Sequence, residues 1–280
     1  MTENQTGLLN NFIQWGVSSD RLSAALLLGS QAREDKKADE YSDMDIVLIV
    51  DEPGYFISSD GWLHDIGEFY VSFVEDTLDG LKERRVLFDN ALDIDFVLRP
   101  KDTIGEITSD EIASILSNGY KILIDKIGLQ DKIKALAIYK QQFIMPTEQS
   151  FVNMVNDFWY HSVWTAKKLK RGEIWTAKFC LDSYMKWKLL SVIECYTHVK
   201  KGLEHKTWYG GRFIEEWAEK WIVDELSFCF SHYDSEDIKS ALIFTMRLYR
   251  SLAVEVADKL NYHYPKKADE YASGWVTTVL

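Results

Sequence analysis

Two aspartates separated by one residue, Asp43 and Asp45, stand immediately before an apolar run over residues 46–50. The run predicts a buried strand, and because side chains alternate between the two faces of a strand, both carboxylates point to the same side. Carboxylates that lie a few ångströms apart repel each other unless a cation is placed between them. Hard oxygen ligands of this kind suit Mg²⁺, so the pair predicts a magnesium site.

A Gly-Ser pair and a third acid extend this site. Gly29 follows an apolar run over residues 22–28, where a glycine permits a tight turn and lets a phosphate group approach the main chain, and Ser30 adds a hydroxyl donor. Phosphoryl or nucleotidyl transfer also needs an acid that completes the metal cage or takes the proton of the attacking group. Asp93 and Asp95, which alternate with apolar residues in the strand-like run 92–98, are the candidates. The pattern predicts a site for Mg²⁺ and a nucleoside triphosphate; the alternative is a set of solvated acids at strand ends.

A strongly charged loop over residues 33–42 follows the Gly-Ser pair. Most of its charged side chains are predicted to be solvated. Arg33 and Lys36 are the candidates for contact with phosphate groups, and Arg33 is therefore added to the predicted nucleotide-binding residues.

The remaining pattern predicts two domains. Up to residue 145, short apolar runs alternate with turn residues, which predicts a mixed sheet with a few helices, including a short helix around Ile112. Thr147 is a suitable helix cap, and from there to about Leu260 apolar residues recur at helical spacing. We predict an α/β (α+β) sheet domain over residues 1–145, followed by an all-helical domain over residues 146–280.

Composition limits the classes of function. The formal net charge of -12 argues against nucleic acid as a partner, because a phosphate backbone attracts basic surfaces, and it favours a cationic small molecule. The three cysteines lie far apart, which predicts reduced, buried thiols in the cytoplasm. We expect no signal peptide and no membrane attachment, since no run approaches the roughly 20 apolar residues of a membrane span. A cytoplasmic monomer or weak dimer is expected.

The order Gly-Ser, Asp-x-Asp and then a later strand aspartate resembles the nucleotidyltransferase superfamily, with its polymerase-beta-like fold. Along its whole length the chain also resembles the aminoglycoside 6-adenylyltransferases, which modify streptomycin. The segments that carry this resemblance are 62–75, 88–100, 157–170, 177–182, Gly211-Arg212-Phe213 and Tyr264-Pro265. The chain departs from the family at Gln31, where many members have Arg, and at Met44, where an aromatic residue often separates the two acids.

This resemblance implies transfer of AMP from Mg-ATP to a hydroxyl group of an aminoglycoside, with streptomycin as the expected acceptor and antibiotic resistance as the result. Gly29 and Ser30 would hold the phosphate groups. Asp43 and Asp45 would be metal ligands, and Asp95 would be a metal ligand or the general base.

Lys178 and Asp182 stand four residues apart on a predicted helix and therefore share one face. The resemblance implies that Lys178 reaches the triphosphate, and Asp182 is a candidate to accept an ammonium or guanidinium group of the acceptor. The alternative is an ordinary surface salt bridge, worth well under ~1 kcal/mol. Glu173 and Glu194 are further candidates for acids around a cationic acceptor.

Two other functions stay open at this stage. One keeps the chemistry and changes the acceptor to another small hydroxylated compound or to a protein hydroxyl. The other is a catalytically silent nucleotide-binding protein. A full helical second domain counts against a protein acceptor, since enzymes of that kind tend to be minimal single domains. The complete set of three acids counts against a silent protein, because a self-repelling carboxylate cluster has no structural use.

Overall fold

The computed structural model describes residues 1–33, 36–77, 80–103, 115–135 and 142–280. The chain divides into two compact units, unit 1 (Met1–Gln141) and unit 2 (Gln142–Leu280), and this division lies close to the predicted boundary at residue 146. Of the helix predicted around Ile112, residues 111–114 lie outside the described residues, and residues 115–117 are helical. Within the described parts of the chain, no helix is both long and apolar enough to cross a membrane.

Unit 1 is built on a six-stranded mixed sheet. The strands are β1 (Leu22–Leu27), β2 (Met44–Val50), β3 (Phe69–Asp76), β4 (Lys82–Phe88), β5 (Asp93–Pro100) and β6 (Lys121–Asp125). Their order in the sheet is β3-β4-β5-β2-β1-β6. β2 and β5 run parallel to each other, and all other neighbouring strands are antiparallel. The main helices described in this unit are α1 (Glu3–Ser18), α2 (Pro53–Ser58) and α3 (Leu129–Lys134).

One face of the sheet carries the main core of unit 1. On β5 the residues Ile94, Phe96 and Leu98 are almost fully buried on this face. Phe12 of α1 packs on Phe96, with ring centroids 5.6 Å apart. Because successive side chains of a strand point to opposite faces, Asp95 lies on the other face of the sheet.

A smaller core covers part of that other face, at β1 and β2. Its buried members are Ala24, Leu26, Ile49, Leu116, Leu129 and Ile133. β1 and β2 are therefore covered on both faces, which explains their nearly continuous apolar sequences. The first half of β5 instead alternates between polar and apolar residues, from Asp93 to Phe96.

Unit 2 is helical in all its main elements. The helices are α4 (Glu148–Lys170), α5 (Ile174–Phe179), α6 (Met185–Lys201), α7 (Ile214–Trp217), α8 (Lys220–Cys229), α9 (Ser235–Leu260) and α10 (Lys266–Val279). A π-helical turn, Cys180–Tyr184, joins α5 to α6. Thr147 caps α4, as predicted, by accepting a hydrogen bond from the backbone N–H of Ser150. The predicted fold class, a mixed sheet followed by an all-helical part, is confirmed.

A buried carboxylate ties α10 to α9. Asp269 is 4% exposed and accepts a hydrogen bond from Nε of Arg250 at 2.7 Å. It also accepts a hydrogen bond from the hydroxyl of Tyr264 at 2.8 Å. The guanidinium of Arg250 binds both carboxylate oxygens, and such paired, charge-assisted hydrogen bonds are among the strongest in proteins.

Replacing Asp269 by Ala is expected to lower the free energy of unfolding by about 3 kcal/mol, near the lower end of the range for breaking a buried ion pair. The lower end applies because the side chain of Arg250 is 39% exposed and can turn to water. Urea denaturation followed by tryptophan fluorescence measures the loss. Glu270→Ala is the matched control, since Glu270 forms an exposed pair with Lys266 at 3.5 Å and should cost less than ~1 kcal/mol. Equal losses in both variants would show that Asp269 has no special structural role.

Candidate active site

The three predicted carboxylates meet beside the parallel strand pair. Asp45 of β2 and Asp95 of β5 are register partners on adjacent strands, and Asp43 lies just before β2. Carboxylate oxygens of these three residues, the acid trio, lie within 4.8 Å of one another. Among the described residues, no other group of three or more metal-ligating side chains lies this close together. Three converging oxygen ligands fit a hard divalent cation such as Mg²⁺.

Gly29 lies against Asp45 and has no room for a side chain. It begins the turn Gly29–Gln31 with a φ of +63°, and an added Cβ would lie 1.7 Å from Oδ2 of Asp45. Glycine is thus required here by the carboxylate as well as by the backbone conformation. The hydroxyl of Ser30 donates a hydrogen bond of 3.4 Å to the backbone carbonyl oxygen of Asp43. The Gly-Ser turn therefore packs directly against the acid trio.

Asp95 is the one buried member of the trio, with 8% of its surface exposed. Burial raises the pKa of its carboxyl to about 7; the positive charge of Arg85 opposes this shift, and Glu83 and the other two acids add to it. Nε of Arg85 lies 3.7 Å from Oδ2 of Asp95, because the two residues are register partners on β4 and β5. A cation bound within the trio would favour the ionised carboxylate and so oppose the rise in pKa.

Arg85 is a charged residue of this site that the sequence analysis did not identify. Besides Asp95, it contacts Glu75 at 2.7 Å and Glu83 at 3.4 Å. The sequence did contain one indication of this position: Glu83 and Arg85 are two residues apart on a strand, so their side chains share one face of the sheet. The guanidinium provides a fixed positive charge beside the acid trio.

The sequence analysis also singled out Arg33, Met44 and Gln31, which are close in sequence to the Gly-Ser turn and the acids. Nε of Arg33 donates a hydrogen bond to the backbone carbonyl oxygen of Lys36 at 3.2 Å, so this nitrogen serves the loop itself. Met44 is 1% exposed and belongs to the main core of unit 1. Gln31 is 6% exposed, and its Nε2 has no hydrogen-bond partner among the described residues. Met44, although it separates the two acids in sequence, therefore points into the core and away from the trio.

The sequence model of the streptomycin adenylyltransferase family matches residues 2–279. The chain belongs to this family. The aminoglycoside 6-adenylyltransferase of Campylobacter jejuni is 24% identical over 271 residues, which cover 94% of this chain and 91% of that protein. The aminoglycoside 6-adenylyltransferase of Staphylococcus aureus is 23% identical over 265 residues, covering 92% of each chain. A crystal structure of an aminoglycoside 6-adenyltransferase from Bacillus subtilis aligns with 100% of this chain and 99% of its own, at 20% identity and a TM-score of 0.47.

Membership of the streptomycin adenylyltransferase family confirms the resemblance found in the sequence and the prediction that the chain is a nucleotidyltransferase enzyme. In this adenylyltransferase, the structure brings together the acid trio, Gly29 and Ser30 in unit 1. The predicted residues Lys178 and Asp182 form a separate group in unit 2.

Lys178 and Asp182 of the adenylyltransferase form an ion pair, with Nζ 2.5 Å from Oδ2. Lys178 lies on α5, whereas Asp182 lies in the π-helical turn that follows it. Nζ of Lys178 also donates to the backbone carbonyl oxygen of Ser231, and the hydroxyl of Ser231 donates to Oδ2 of Asp182 at 3.2 Å. Both charged groups thus have protein partners, which any ligand that binds them must replace.

The other two acids considered for the acceptor have different surroundings. Glu173 binds Lys168 at 2.7 Å and Arg171 at 2.6 Å, so three charges at the end of α4 are combined in one network. Glu194 lies in the middle of α6, and burial raises the pKa of its carboxyl.

Lys186 is a second charged residue of this adenylyltransferase that the sequence analysis missed. Its side chain is 10% exposed, and burial lowers the pKa of its amine to about 8. Nζ donates to the carbonyl oxygen of Leu181 and to the hydroxyl of Thr245, each at 3.1 Å, and lies 3.7 Å from Oδ1 of Asp182. Its position four residues after Asp182 was the available signal, but a buried lysine cannot be told from an exposed one by spacing alone.

Proposed function

We propose that the chain transfers AMP from Mg-ATP to a hydroxyl group of an aminoglycoside, with streptomycin as the expected acceptor, and thereby gives resistance to the antibiotic. The observation that carries the proposal is the acid trio packed against the Gly29 turn in a member of the streptomycin adenylyltransferase family. The names of the two relatives, both aminoglycoside 6-adenylyltransferases, support the acceptor class.

The acid trio has two tasks in this proposal. Asp43 and Asp45 hold Mg²⁺, which supplies charge stabilisation for the phosphate oxygens when it is bound. Asp95 is either a third ligand or the base that takes the proton from the attacking hydroxyl. Its burial and raised pKa suit a base that works near neutral pH.

The remaining predicted residues bind the two substrates. The Gly29 turn and the Ser30 hydroxyl hold the triphosphate, assisted by Arg33 and by Lys178. Asp182 accepts an ammonium or guanidinium group of the acceptor. The net charge of -12 supports a cationic acceptor, because such a field attracts cations over the whole surface.

A turnover assay with a panel of acceptors tests the proposal. The protein is incubated with Mg-ATP and streptomycin, other aminoglycosides, or a neutral lincosamide, and pyrophosphate release is followed. We expect release with streptomycin and none with the lincosamide. The dissociation constant of streptomycin, measured with a Mg-ATP analogue bound, should rise with salt, since charge–charge attraction is screened. Release with no aminoglycoside in the panel, or a salt-independent dissociation constant, would contradict the proposed acceptor.

Divalent-metal affinity is expected to increase with pH through about 7, because burial raises the pKa of Asp95 to about 7 when no metal is bound. Below this pH a proton must be displaced before the carboxylate can bind, so the apparent Kd should fall by about tenfold per pH unit and level off above it. Calorimetric titration with Mn²⁺ on either side of this pKa measures the effect. In Asp95→Asn the dependence should largely disappear, and a wild-type affinity that does not change with pH would show that Asp95 does not bind the metal.

A further inference from the structure

Unit 2 contains a cavity of about 610 Å³, and one of its lining residues is Asp182, which is proposed above to bind a cationic group of the acceptor. It lies beside α6, between this helix, the turn Tyr209–Gly211, α7 and α8. Binding sites for small organic molecules typically enclose roughly 300–1,000 Å³. The size of this cavity is therefore that of a small-molecule site, and all its lining residues belong to unit 2.

The walls of the cavity are mainly apolar. Eight of its fifteen lining residues are aliphatic or aromatic. Leu189 and Ile193 are each 1% exposed and line it with core side chains, whereas Trp187 and Phe230 remain 53% and 54% exposed. Large aromatic rings that are half exposed beside an apolar cavity gain contact area when a flat apolar group enters. An aminoglycoside, covered with hydroxyl and ammonium groups, would gain little from such walls.

The charged groups that line the cavity differ in the ion-pair and hydrogen-bond partners that they already have in the protein. The ammonium of Lys186 donates to Leu181 and Thr245 and lies near Asp182. Asp182 in turn binds Lys178. Glu215 is exposed and, among the described residues, has no ion pair or side-chain hydrogen bond. The charge that is free to meet a ligand is therefore negative.

We propose that this cavity binds a small organic amine whose body is an apolar ring. The ring lies between Trp187 and Phe230, and the ammonium group pairs with the carboxylate of Glu215. Attraction between the ammonium group and the ring face of Trp187 adds to this preference, whereas the ring of Phe230 already has the ammonium of Lys186 over it, 5.0 Å from its centroid. A carboxylate on the same ring is disfavoured, because Glu215 repels it and the ammonium of Lys186 already has partners. The site goes beyond the proposed transfer of AMP, since it selects an apolar amine and needs no nucleotide.

The test compares three ligands that share one ring: 2-phenylethylamine, 2-phenylethanol and phenylacetate. Each is titrated calorimetrically into the full-length protein without Mg-ATP, so the result does not depend on adenylyltransferase activity. We expect the amine to bind roughly threefold or more tightly than the alcohol, the gain expected from an exposed ion pair, and the acid to bind most weakly. No binding of the amine, or binding of the acid as tight as that of the amine, would overturn the proposal.

Three variants locate the site. Glu215→Gln should reduce the affinity for the amine to that for the alcohol and leave the alcohol unchanged. Glu225→Gln is the matched control, because Glu225 is exposed on α8 but does not line the cavity. The affinity of this variant for the amine should equal that of the wild-type protein within error. Ser227→Trp should abolish binding of both ligands by filling the cavity, and since Ser227 is exposed the fold should accept it. Circular dichroism checks folding, and unchanged amine binding in Glu215→Gln or Ser227→Trp would exclude this cavity.

Discussion

Replacing Asp45 by Asn is expected to lower turnover with Mg-ATP by about 10³-fold or more. The substitution removes one negative charge from the acid trio, and a bound metal ion contributes several kcal/mol of transition-state stabilisation, at about 1.4 kcal/mol per tenfold in rate. Asn keeps the shape of the side chain that packs on Gly29, and it removes a carboxylate that is repelled by its neighbours. Pyrophosphate release measures the rate, and thermal unfolding without metal should show no loss of stability.

Asp93→Asn is the matched control for this variant. Asp93 lies on β5, on the same face as Asp95, but it is not a member of the acid trio. The same change of one charge at this position should reduce turnover by less than about tenfold, because Asp93 is outside the acid trio and interacts with it only through charge: burial, and then the negative charge of Asp43, raise the pKa of its carboxyl. If Asp45→Asn keeps a near wild-type rate, or if both variants lose the same activity, the assignment of Asp45 as metal ligand is wrong.

Replacing Asp95 by Asn is expected to lower the rate roughly 10²–10⁴-fold, the usual contribution of a general base. If Asp95 is the base, the variant should still bind Mg-ATP and the aminoglycoside with nearly unchanged dissociation constants. The pKa of Asp95 gives a second readout, since the wild-type rate should increase with pH as the carboxyl ionises. Because bound metal opposes the rise in pKa, this increase should lie below the value of about 7 that burial sets without metal. Calorimetry on the variant, together with single-turnover rates across this pH range, distinguishes a general base from a metal ligand.

Loss of nucleotide binding together with rate would instead assign Asp95 to the metal cage. Arg85→Gln is an informative companion to this variant. Arg85 opposes the rise in the pKa of Asp95, so its removal should move the rising limb of the pH–rate profile to higher pH. An Asp95→Asn variant with full activity would exclude both roles.

The acid trio was accessible from sequence because it follows a simple local rule. Alternation along a strand places Asp43 and Asp45 on one side, and the same rule puts Met44, between them, into the core. The structure follows it, since Met44 is buried in the main core of unit 1. The sequence did not reveal that β2 and β5 are adjacent and in register, because strand pairing over long distances leaves no local pattern.

Charged residues that depend on such pairing were missed for the same reason. Arg85 reaches Asp95 only because β4 and β5 are neighbours in this register. Lys186 is buried by helices that are distant in sequence, and the π-helical turn before it changes the helical spacing on which the sequence analysis relied. The first helix, α1, begins at Glu3, where Thr2 and Gln5 form a capping box.

The single parallel pairing in the sheet has a consequence for the order in which the chain folds. β3, β4 and β5 follow one another as antiparallel neighbours, so this meander can form through contacts that are local in sequence. Its docking onto β2 closes a much longer loop and is expected to be the slow step. That same step brings Asp95 next to Asp45. The electrostatic repulsion between the two carboxylates therefore adds to the kinetic barrier of this slow step. Divalent cations should therefore speed refolding of this unit as well as support catalysis.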